Sequence, residues 1–300
     1  MPSNESYPIR EFLGYLTFQK RYSHHTIISY QNDLSAFFNF ISSEYGSPDI
    51  VAITSSMVRS WLASLKQGKI ASKTINRKIS TLKSFFKYQL KKETIEVNPM
   101  TPILSLKISR RLPSFVEQKD IKTLFSYVEF PDTWEGKTDR LLLMIFYQTG
   151  IRLSELISIK DSHVDKSNST IKVLGKGNKE RLIPVSNQLL QLIDAYISEK
   201  KSSIENQSSP FLLVRKKGEK LYPKYVYNTV KKYLGNVSTN ERKSPHVLRH
   251  TFATHLTNNG ADINAVKELL GHSSLASTQV YTHNSIEKLK EVHKLAHPKS

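Results

Sequence analysis

The stretch PHVLRHTFATHLTNNGADINAVKELLGHSSLASTQVYTH, residues 245–283, carries the helical spacing from which the rest of the chain can be interpreted. His246, Arg249 and His250 stand at positions i, i+3 and i+4, so a helix places them on one face. A second, apolar face repeats at four-residue spacing and consists of Leu248, Phe252 and Leu256. We therefore predict a helix that packs on a core and holds the two imidazoles and the guanidinium outward together.

A shorter helix is predicted for residues 262–270, because Asp262 is a suitable N-cap. Its apolar positions are Ile263, Val266, Leu269 and Leu270. Gly271 ends this pattern and places His272 just past the helix end, and Tyr281 follows a serine- and threonine-rich turn. An arginine, two histidines and a tyrosine that converge would suit phosphate-ester chemistry with a phenol nucleophile. Taken alone, each histidine or tyrosine is more often a packing or surface residue.

A metal site is the alternative interpretation of the first helix, because His246 and His250 have the spacing of zinc ligands. Metalloproteases with this spacing carry glutamate directly after the first histidine, and this chain has Val247 there. No cysteine is present to complete a structural zinc site. We expect neither a metal nor another cofactor.

The composition indicates a basic protein with a polyanionic partner. The 300 residues, enough for two domains, include 44 Lys and Arg against 26 Asp and Glu, a net charge of +18. Residues 1–110 carry 15 basic and 7 acidic side chains, and residues 111–300 carry 29 and 19, so both parts are basic. The chain has no cysteine, no apolar signal-peptide core near its start and no apolar run longer than residues 141–147. We expect a soluble, cytoplasmic protein that does not contact membranes.

The amino-terminal part is predicted to be helical, with one strongly basic helix that begins at Ser72. Its outer face is predicted to carry five cations and no acid: Lys73, Arg77, Lys78, Lys83 and Lys87. These residues are candidates for contacts with DNA phosphates, although any one of them could simply face solvent. The proline-punctuated, basic residues 104–113 are predicted to link a first domain, residues 1–103, to a second, residues 114–300.

Strand signals appear only in the second domain. Residues 170–174 and 181–185 flank GKGNKE and predict a β-hairpin with Lys176 in or beside its turn, where a lone lysine is usually only solvated. GKGNK does not complete a P-loop, so nucleotide binding is not indicated. A further short strand is predicted at residues 211–214. Predicted helices cover residues 117–128, 141–147 and 225–234; the second is buried and stopped by Gly150, with Arg152 shortly after.

Four motifs in this domain resemble, in order and spacing, those of the tyrosine recombinases of the Xer group. They are TGIRLSEL (149–156), VLGKGNKERLIPV (173–185), SPHVLRHTFATHL (244–256) and NGADINAVKELLGHSSLASTQVYTH (259–283). The amino-terminal part resembles the core-binding domain of that family through SHHTIISYQNDLSAFFNF (23–40) and KTINRKISTLKSFFKY (73–88). The resemblance covers nearly the whole chain. It implies a mainly helical α+β protein, in which a helical core-binding domain and a mixed catalytic domain with a small antiparallel sheet form a C-shaped DNA clamp.

The resemblance also implies a catalytic set, and this chain has the expected residue type at all six positions. They are Arg152, Lys176, His246, Arg249, His272 and the nucleophile Tyr281. Glu155 matches an acidic position that supports Arg152. Departures are small: RYSHHT replaces the more common glycine-containing entry to the second helix.

The properties of these residues agree with the implied roles. A phenol with a pKa near 10 is ionised in only about one molecule in a thousand at neutral pH, so it needs a proton acceptor, here His246. Arg152 and Arg249 can fork onto the non-bridging phosphate oxygens, and His272 adds a donor. Lys176 can protonate the leaving 5′ oxygen. A covalent 3′-phosphotyrosine retains the energy of the ester bond, so neither ATP nor a metal ion is required.

The implied partners are double-stranded DNA at a dif-like site and a tetramer, formed by one recombinase or by two different Xer recombinases. Chromosome-dimer resolution during segregation, with an FtsK-like cell-division translocase as activator, is the implied process. The rivals are a mobile-element integrase and a non-catalytic DNA-binding protein on the same scaffold. The ending HKLAHPKS looks slightly more like that of XerD than that of XerC.

The last segment, residues 286–300, is predicted to include a short helix. Its apolar positions are Ile286, Leu289, Val292 and Leu295. Such a helix is marginal alone and needs a surface to cover. The resemblance implies docking into a neighbouring protomer; the alternative is that the segment folds back onto its own domain.

Overall fold

The computed structural model describes residues 7–108, 114–175, 180–204, 209–271 and 292–297. The chain divides into two compact units, Met1–Arg111 and Leu112–Ser300. The predicted class, mainly helical with a small antiparallel sheet, is confirmed. None of the described helices is long and apolar enough to cross a membrane.

The first unit consists of helices. They are α1 (Tyr7–Gly14), which continues as a π-helical turn (Tyr15–Gln19), α2 (His24–Tyr45), a 3-10 turn (Ile50–Ala52), α3 (Ser55–Gln67) and α4 (Ser72–Lys91). Ser23 and Thr54 cap α2 and α3 by accepting backbone N–H groups, and Gly46 ends α2 with a left-handed φ of 72°. The core is aromatic: the ring centroids of Phe37 and Trp61 lie 5.1 Å apart. Helix α4 contributes Ile75, Ile79, Leu82, Phe85 and Phe86 to this core.

The start of the predicted linker is attached to the first unit. The Asn76 side chain donates to the backbone O of Leu106 at 2.9 Å and accepts from its N–H at 2.8 Å. Residues 109–113 lie outside the described residues. The linker bounds 104–113, and the domain bounds drawn from them, stay predictions.

The second unit is mixed. Its helices are α5 (Gln118–Ser126), α6 (Trp134–Thr149), α7 (Leu153–Leu156), α8 (Asn187–Ser203), α9 (Pro223–Gly235), α10 (Pro245–Asn258) and α11 (Ile263–Leu270), with a 3-10 turn at Asp161–His163. An antiparallel sheet has the order β1 (Val164–Asp165), β2 (Thr170–Leu174) and β3 (Glu180–Pro184). The predicted hairpin is confirmed, with Thr170 opposite Pro184 and Leu174 opposite Glu180. The two-residue strand β1 was not predicted.

The strand predicted at residues 211–214 is wrong. Only isolated bridges form there, between Phe211 and Lys160 and between Val214 and Lys220. Leu212 and Leu213 are nonetheless fully buried. The apolar run therefore reflects burial in the core, because none of the described strands pairs with it.

Helices α6 and α10 form the centre of the second unit. Residues 141–149 of α6 are all buried, which confirms a buried helix, and Gly150 ends it with a φ of 57°. A Cβ on Gly150 would lie only 2.3 Å from Phe252 Cδ1, so this glycine lets the end of α6 approach α10 closely. The predicted apolar face of α10 is buried as expected: Leu248, Phe252 and Leu256. In α11, Ile263 is 55% exposed, contrary to prediction, because the first turn lies outside the buried stripe.

The described part of the tail, residues 292–297, packs on its own unit. The Nε2 atoms of His293 and His297 lie 2.8 Å from Gln148 O and 3.1 Å from Tyr147 O, at the end of α6. Leu295, predicted to be an apolar anchor, is 84% exposed, and the two histidines are buried instead. In the isolated chain this part of the tail follows the alternative of folding back. Docking into a neighbouring protomer stays a prediction for the assembly.

Candidate active site

Arg152 lies where the end of α6 turns into α7. Its backbone N–H donates to Glu155 Oε2 at 2.7 Å, and its NH1 donates to Glu155 Oε1 at 2.8 Å. Its NH2 donates to the backbone O of Gly271 at 3.0 Å. The carboxylate of Glu155 is buried, while the Arg152 side chain is 33% exposed. Glu155 thus fixes the orientation of Arg152, whose side chain stays partly exposed.

Arg249 lies in the first half of α10, but it does not point outward as predicted. It is buried, and it donates from NH1 to Gly150 O and from NH2 to Leu270 O, both at 2.6 Å. At 100° per residue, Arg249 lies about 60° around the helix from His246, towards the buried Phe252. His246 and His250 are exposed as expected. The shared outward face therefore holds for the imidazoles and not for the guanidinium.

Arg181, on β3, is a third arginine in this cluster and was not predicted. It is buried and makes a bidentate contact with Glu155: NH1 donates to Oε1 at 2.9 Å and NH2 donates to Oε2 at 2.8 Å. Its Nε donates to Leu269 O at 3.1 Å. The sequence signal was the two-residue period of the strand, which places Arg181 on the same inward face as the buried Ile183.

The three arginines meet at the end of α11. Its last carbonyls, which have no partner within the helix, accept one arginine each: Leu269 from Arg181, Leu270 from Arg249 and Gly271 from Arg152. The negative end of the helix dipole favours cations at this position. Because these donors come from β3, α10 and the start of α7, the end of α11 ties together three separate parts of the unit.

The cluster carries more positive than negative charge. Among the residues that the structure describes, Glu155 is the single carboxylate paired with these arginines, and Arg249 has no ion pair. Burial raises the pKa of Glu155, but the hydrogen bonds from Arg181 and Arg152 outweigh burial and lower the pKa to about 2. Burial, followed by the charge of Arg152, lowers the pKa of Arg249 to about 10. Glu155 and Arg249 are therefore charged at neutral pH. Three guanidinium groups around one carboxylate give a formal excess of two positive charges, which suits an anion.

Three predicted catalytic residues, Lys176, His272 and Tyr281, lie outside the described residues. In the sequence, Lys176 falls between β2 and β3, and His272 directly follows Gly271. Their roles stay predictions. No group of three or more metal-ligating side chains occurs in the described parts of the chain.

The cations of α4 divide into two kinds. Four are exposed: Lys73, Arg77, Lys83 and Lys87. Lys78 is a correction, since it is 14% exposed, donates to Asp33 Oδ1 at 2.9 Å and lies over the Trp61 ring at 5.6 Å. At 100° per residue it lies about 140° around α4 from Lys73, on the packed side. The buried Asp33 also pairs with Arg77, so an acid from α2 reaches the edge of this basic face.

The comparisons with known proteins cover nearly the whole chain. Residues 114–288 match the phage integrase family, and residues 9–93 match the phage integrase N-terminal SAM-like domain. Tyrosine recombinase XerC of Staphylococcus saprophyticus is 38% identical over 292 residues, 96% of each chain. Tyrosine recombinase XerC of Listeria innocua is also 38% identical, over 97% of each chain. The XerC names of these relatives lend no support to the slight XerD-like character of the tail.

Solved structures show the same fold. The XerH site-specific recombinase bound to palindromic difH substrate has a TM-score of 0.72 at 23% identity, over 96% of this chain and 84% of that one. The Tn1549 transposon integrase in complex with circular intermediate DNA has a TM-score of 0.71 at 21% identity, over 94% and 98%.

Proposed function

The chain belongs to the phage integrase family, as a tyrosine recombinase of the Xer group, and we propose that Arg152 and Arg249 of its three-arginine cluster bind the phosphate that is cut. The resemblance stated from the motifs is confirmed by these matches. The chain is thus a site-specific recombinase that cleaves and rejoins DNA.

The observation that carries the proposal is the charge excess around Glu155. Arg152 and Arg249 each use two guanidinium N–H groups on protein acceptors. A guanidinium has five N–H donors, so both retain donors for the non-bridging oxygens of a phosphate. Because these side chains are already fixed by the helix ends, they stabilise developing negative charge without reorganising during the reaction.

The proposed reaction also uses the other residues of the implied catalytic set. Tyr281 Oη attacks phosphorus and gives its proton to His246, while the bond from phosphorus to the 5′ oxygen breaks and Lys176 protonates that oxygen. The products are a 3′-phosphotyrosyl bond and a free 5′ hydroxyl. Attack by the 5′ hydroxyl of another strand reverses these steps and rejoins DNA. His272 adds a hydrogen-bond donor to the phosphate.

This chemistry needs no cofactor. Guanidinium groups supply the charge stabilisation that a metal ion would otherwise provide, and the phosphotyrosyl bond keeps the energy needed for rejoining. Lys73, Arg77, Lys83 and Lys87 on α4 are proposed to contact DNA phosphates in the first unit, since all four are exposed. Lys78 is left out of this set because its side chain is only 14% exposed, whereas Arg77, which pairs with the same Asp33, is 47% exposed.

The proposed biological role is the resolution of chromosome dimers at a dif-like site in the cytoplasm. The XerC names of the relatives support this role over that of a mobile-element integrase. Assembly as a tetramer, with itself or with a second Xer recombinase, and activation by an FtsK-like translocase belong to the same proposal. Capture and sequencing of bound genomic sites tests it: one chromosomal site supports this role, and sites at the ends of a mobile element support the integrase.

Covalent trapping on a nicked suicide substrate separates an enzyme from a DNA-binding protein that lacks activity. Wild type should give a covalent band on a denaturing gel, and Tyr281→Phe should give none while still binding DNA, because only one oxygen is removed. Tyr227→Phe is the matched control, since Tyr227 is an exposed tyrosine on α9. A covalent band from Tyr281→Phe would refute the assignment.

A further inference from the structure

Arg181 is the one member of the three-arginine cluster that does not belong to the implied catalytic set. We propose that Arg181 is a positioning residue for cleavage, which holds Glu155 and the end of α11 so that Arg152 meets the phosphate correctly. This inference rests on the proposed function. Arg181 itself does not contact the phosphate.

Arg181 and Arg152 share one carboxylate symmetrically. Each Glu155 oxygen accepts one bond from each arginine: Oε1 from the two NH1 atoms at 2.8 and 2.9 Å, and Oε2 from Arg152 N at 2.7 Å and Arg181 NH2 at 2.8 Å. Without Arg181, Glu155 would keep only the contacts from Arg152 and would be free to rotate towards it. The orientation of Arg152 therefore depends on Arg181.

A second contact extends this effect to α11. Arg181 Nε donates to Leu269 O at 3.1 Å. A Cβ added to Gly271 would lie 3.2 Å from Arg181 Cδ, so the stem of this arginine packs against the last residue before His272. Gly271 ends α11 with a left-handed φ of 64°, a conformation that suits glycine.

The position of Arg181 in the sequence also links the β2–β3 hairpin to Glu155 and α11. It is the second residue of β3, which follows the loop that contains Lys176. One buried side chain thus joins the hairpin of Lys176, the turn of Arg152 and the helix that precedes His272. Arg181 uses three of its five guanidinium N–H groups on protein acceptors, one more than Arg152 or Arg249, which fits a positioning role.

The test compares Arg181→Met and Arg181→Lys with Arg215→Met, an exposed arginine that pairs with Glu219 on the surface. Three quantities are measured on the full chain: the single-turnover rate of covalent adduct formation on a suicide half-site, the half-site Kd and the thermal unfolding midpoint. We expect Arg181→Met to slow adduct formation by about 10²-fold, the usual effect of misplacing reacting groups by an ångström, with a Kd within about threefold of wild type. Arg181→Lys should recover part of the rate, and Arg215→Met should match wild type.

A double-mutant cycle shows whether Arg181 acts through Glu155. In a Glu155→Gln background, Arg181→Met should slow adduct formation by less than about threefold, because the carboxylate that it orients is gone. An equal loss in both backgrounds would overturn the proposal, as would a wild-type rate for Arg181→Met. Loss of the folded state in both Arg181 variants would also overturn it, since the role would then be one of folding. Tyr281→Phe, tested in parallel, reports on the proposed function independently. A covalent band from that variant would refute Tyr281 as the nucleophile, whatever the Arg181 variants show.

Discussion

At the scale of single residues, the site is organised by backbone carbonyls that helices leave free at their ends. Arg249 was assigned to the correct helix from the sequence, but its inward direction was not predicted. The periodicity shows which residues share a face, whereas the carbonyls of Gly150 and Leu270 that draw Arg249 inward come from distant parts of the chain. For the same reason, Lys78 was predicted on the wrong face of its helix and Arg181 was missed. Their partners, Asp33 and Glu155, are far away in the sequence.

Arg152 and Arg249 should differ in their effect on stability although both serve the same phosphate. Alanine at either position is expected to slow cleavage by about 10²–10³-fold, the usual cost of a lost preorganised donor. Arg249→Ala should also lower the free energy of unfolding by about 1–3 kcal/mol, because two buried carbonyls lose their donor. Arg152→Ala should lower it less, since that side chain is partly exposed. Single-turnover cleavage and urea unfolding measure both effects; cleavage within threefold of wild type would refute the phosphate site.

At the scale of elements, several helices were predicted because their start and stop signals are local. Helices α7 and α8 were not predicted, and α6 begins at Trp134, seven residues before its predicted start. Ser23 and Thr54 cap helices and Gly46 ends one, and helices α5 and α9 differ from their predicted bounds by at most two residues at either end. Strands depend on distant partners, so β1 was missed and the strand at residues 211–214 was wrong. The β2–β3 hairpin was predictable because its two strands are adjacent in the sequence.

The junction between α6 and α10 should tolerate no side chain at Gly150. Gly150→Ala places a Cβ 2.3 Å from Phe252 Cδ1 in addition to the strain of a positive φ, and overpacking of this kind costs about 1–3 kcal/mol. Gly260→Ala is the matched control, because Gly260 has a φ of 90° with no atom within 4 Å of the added Cβ. Urea unfolding should show a clearly larger loss for Gly150→Ala. Equal losses would mean that φ strain alone explains both variants.

The exposed cations of α4 should contribute to the salt dependence of DNA binding. Each lost phosphate contact lowers the slope of log K against log salt by about 0.9, so the double variant Lys73→Gln, Lys87→Gln should lower it by about 2. Lys78→Gln should leave the slope unchanged and affect stability instead, because Lys78 is held by Asp33. Half-site affinity is measured at salt concentrations from about 50 to about 200 mM. An unchanged slope for the double variant would exclude Lys73 and Lys87 from the DNA contacts.

At the scale of the whole molecule, the basic charge of both parts of the chain was the first indication of a shared polyanionic partner. The packing of the tail, residues 292–297, was predicted least well from the sequence. Its periodicity pointed to Leu295 as an anchor, but the described residues bury His293 and His297 against the end of α6. Imidazoles that bond to free carbonyls were not foreseeable from an apolar pattern.

The exposed Leu295 allows assembly to be tested without disturbing the single chain. Leu295→Asp should leave the unfolding midpoint and half-site affinity unchanged, because the side chain is 84% exposed in the isolated chain. If the tail docks into a neighbouring protomer, the same variant should weaken cooperative occupancy of a full site. Gel-shift titrations on half and full sites measure the two quantities. Unchanged cooperativity would reject docking through this residue, and a fall in half-site affinity would show that Leu295 acts within its own chain.

The most direct test of the central claim is to locate the DNA-linked residue chemically. Covalent adduct formed on a suicide substrate is digested with nuclease and trypsin, and the peptide that carries the residual nucleotide is identified by mass spectrometry. Trypsin should release residues 268–288, ELLGHSSLASTQVYTHNSIEK, in which Tyr281 is the single tyrosine. The account predicts that the nucleotide is attached to Tyr281 in this peptide. A nucleotide on any other peptide, or no covalent peptide from active protein, would contradict it.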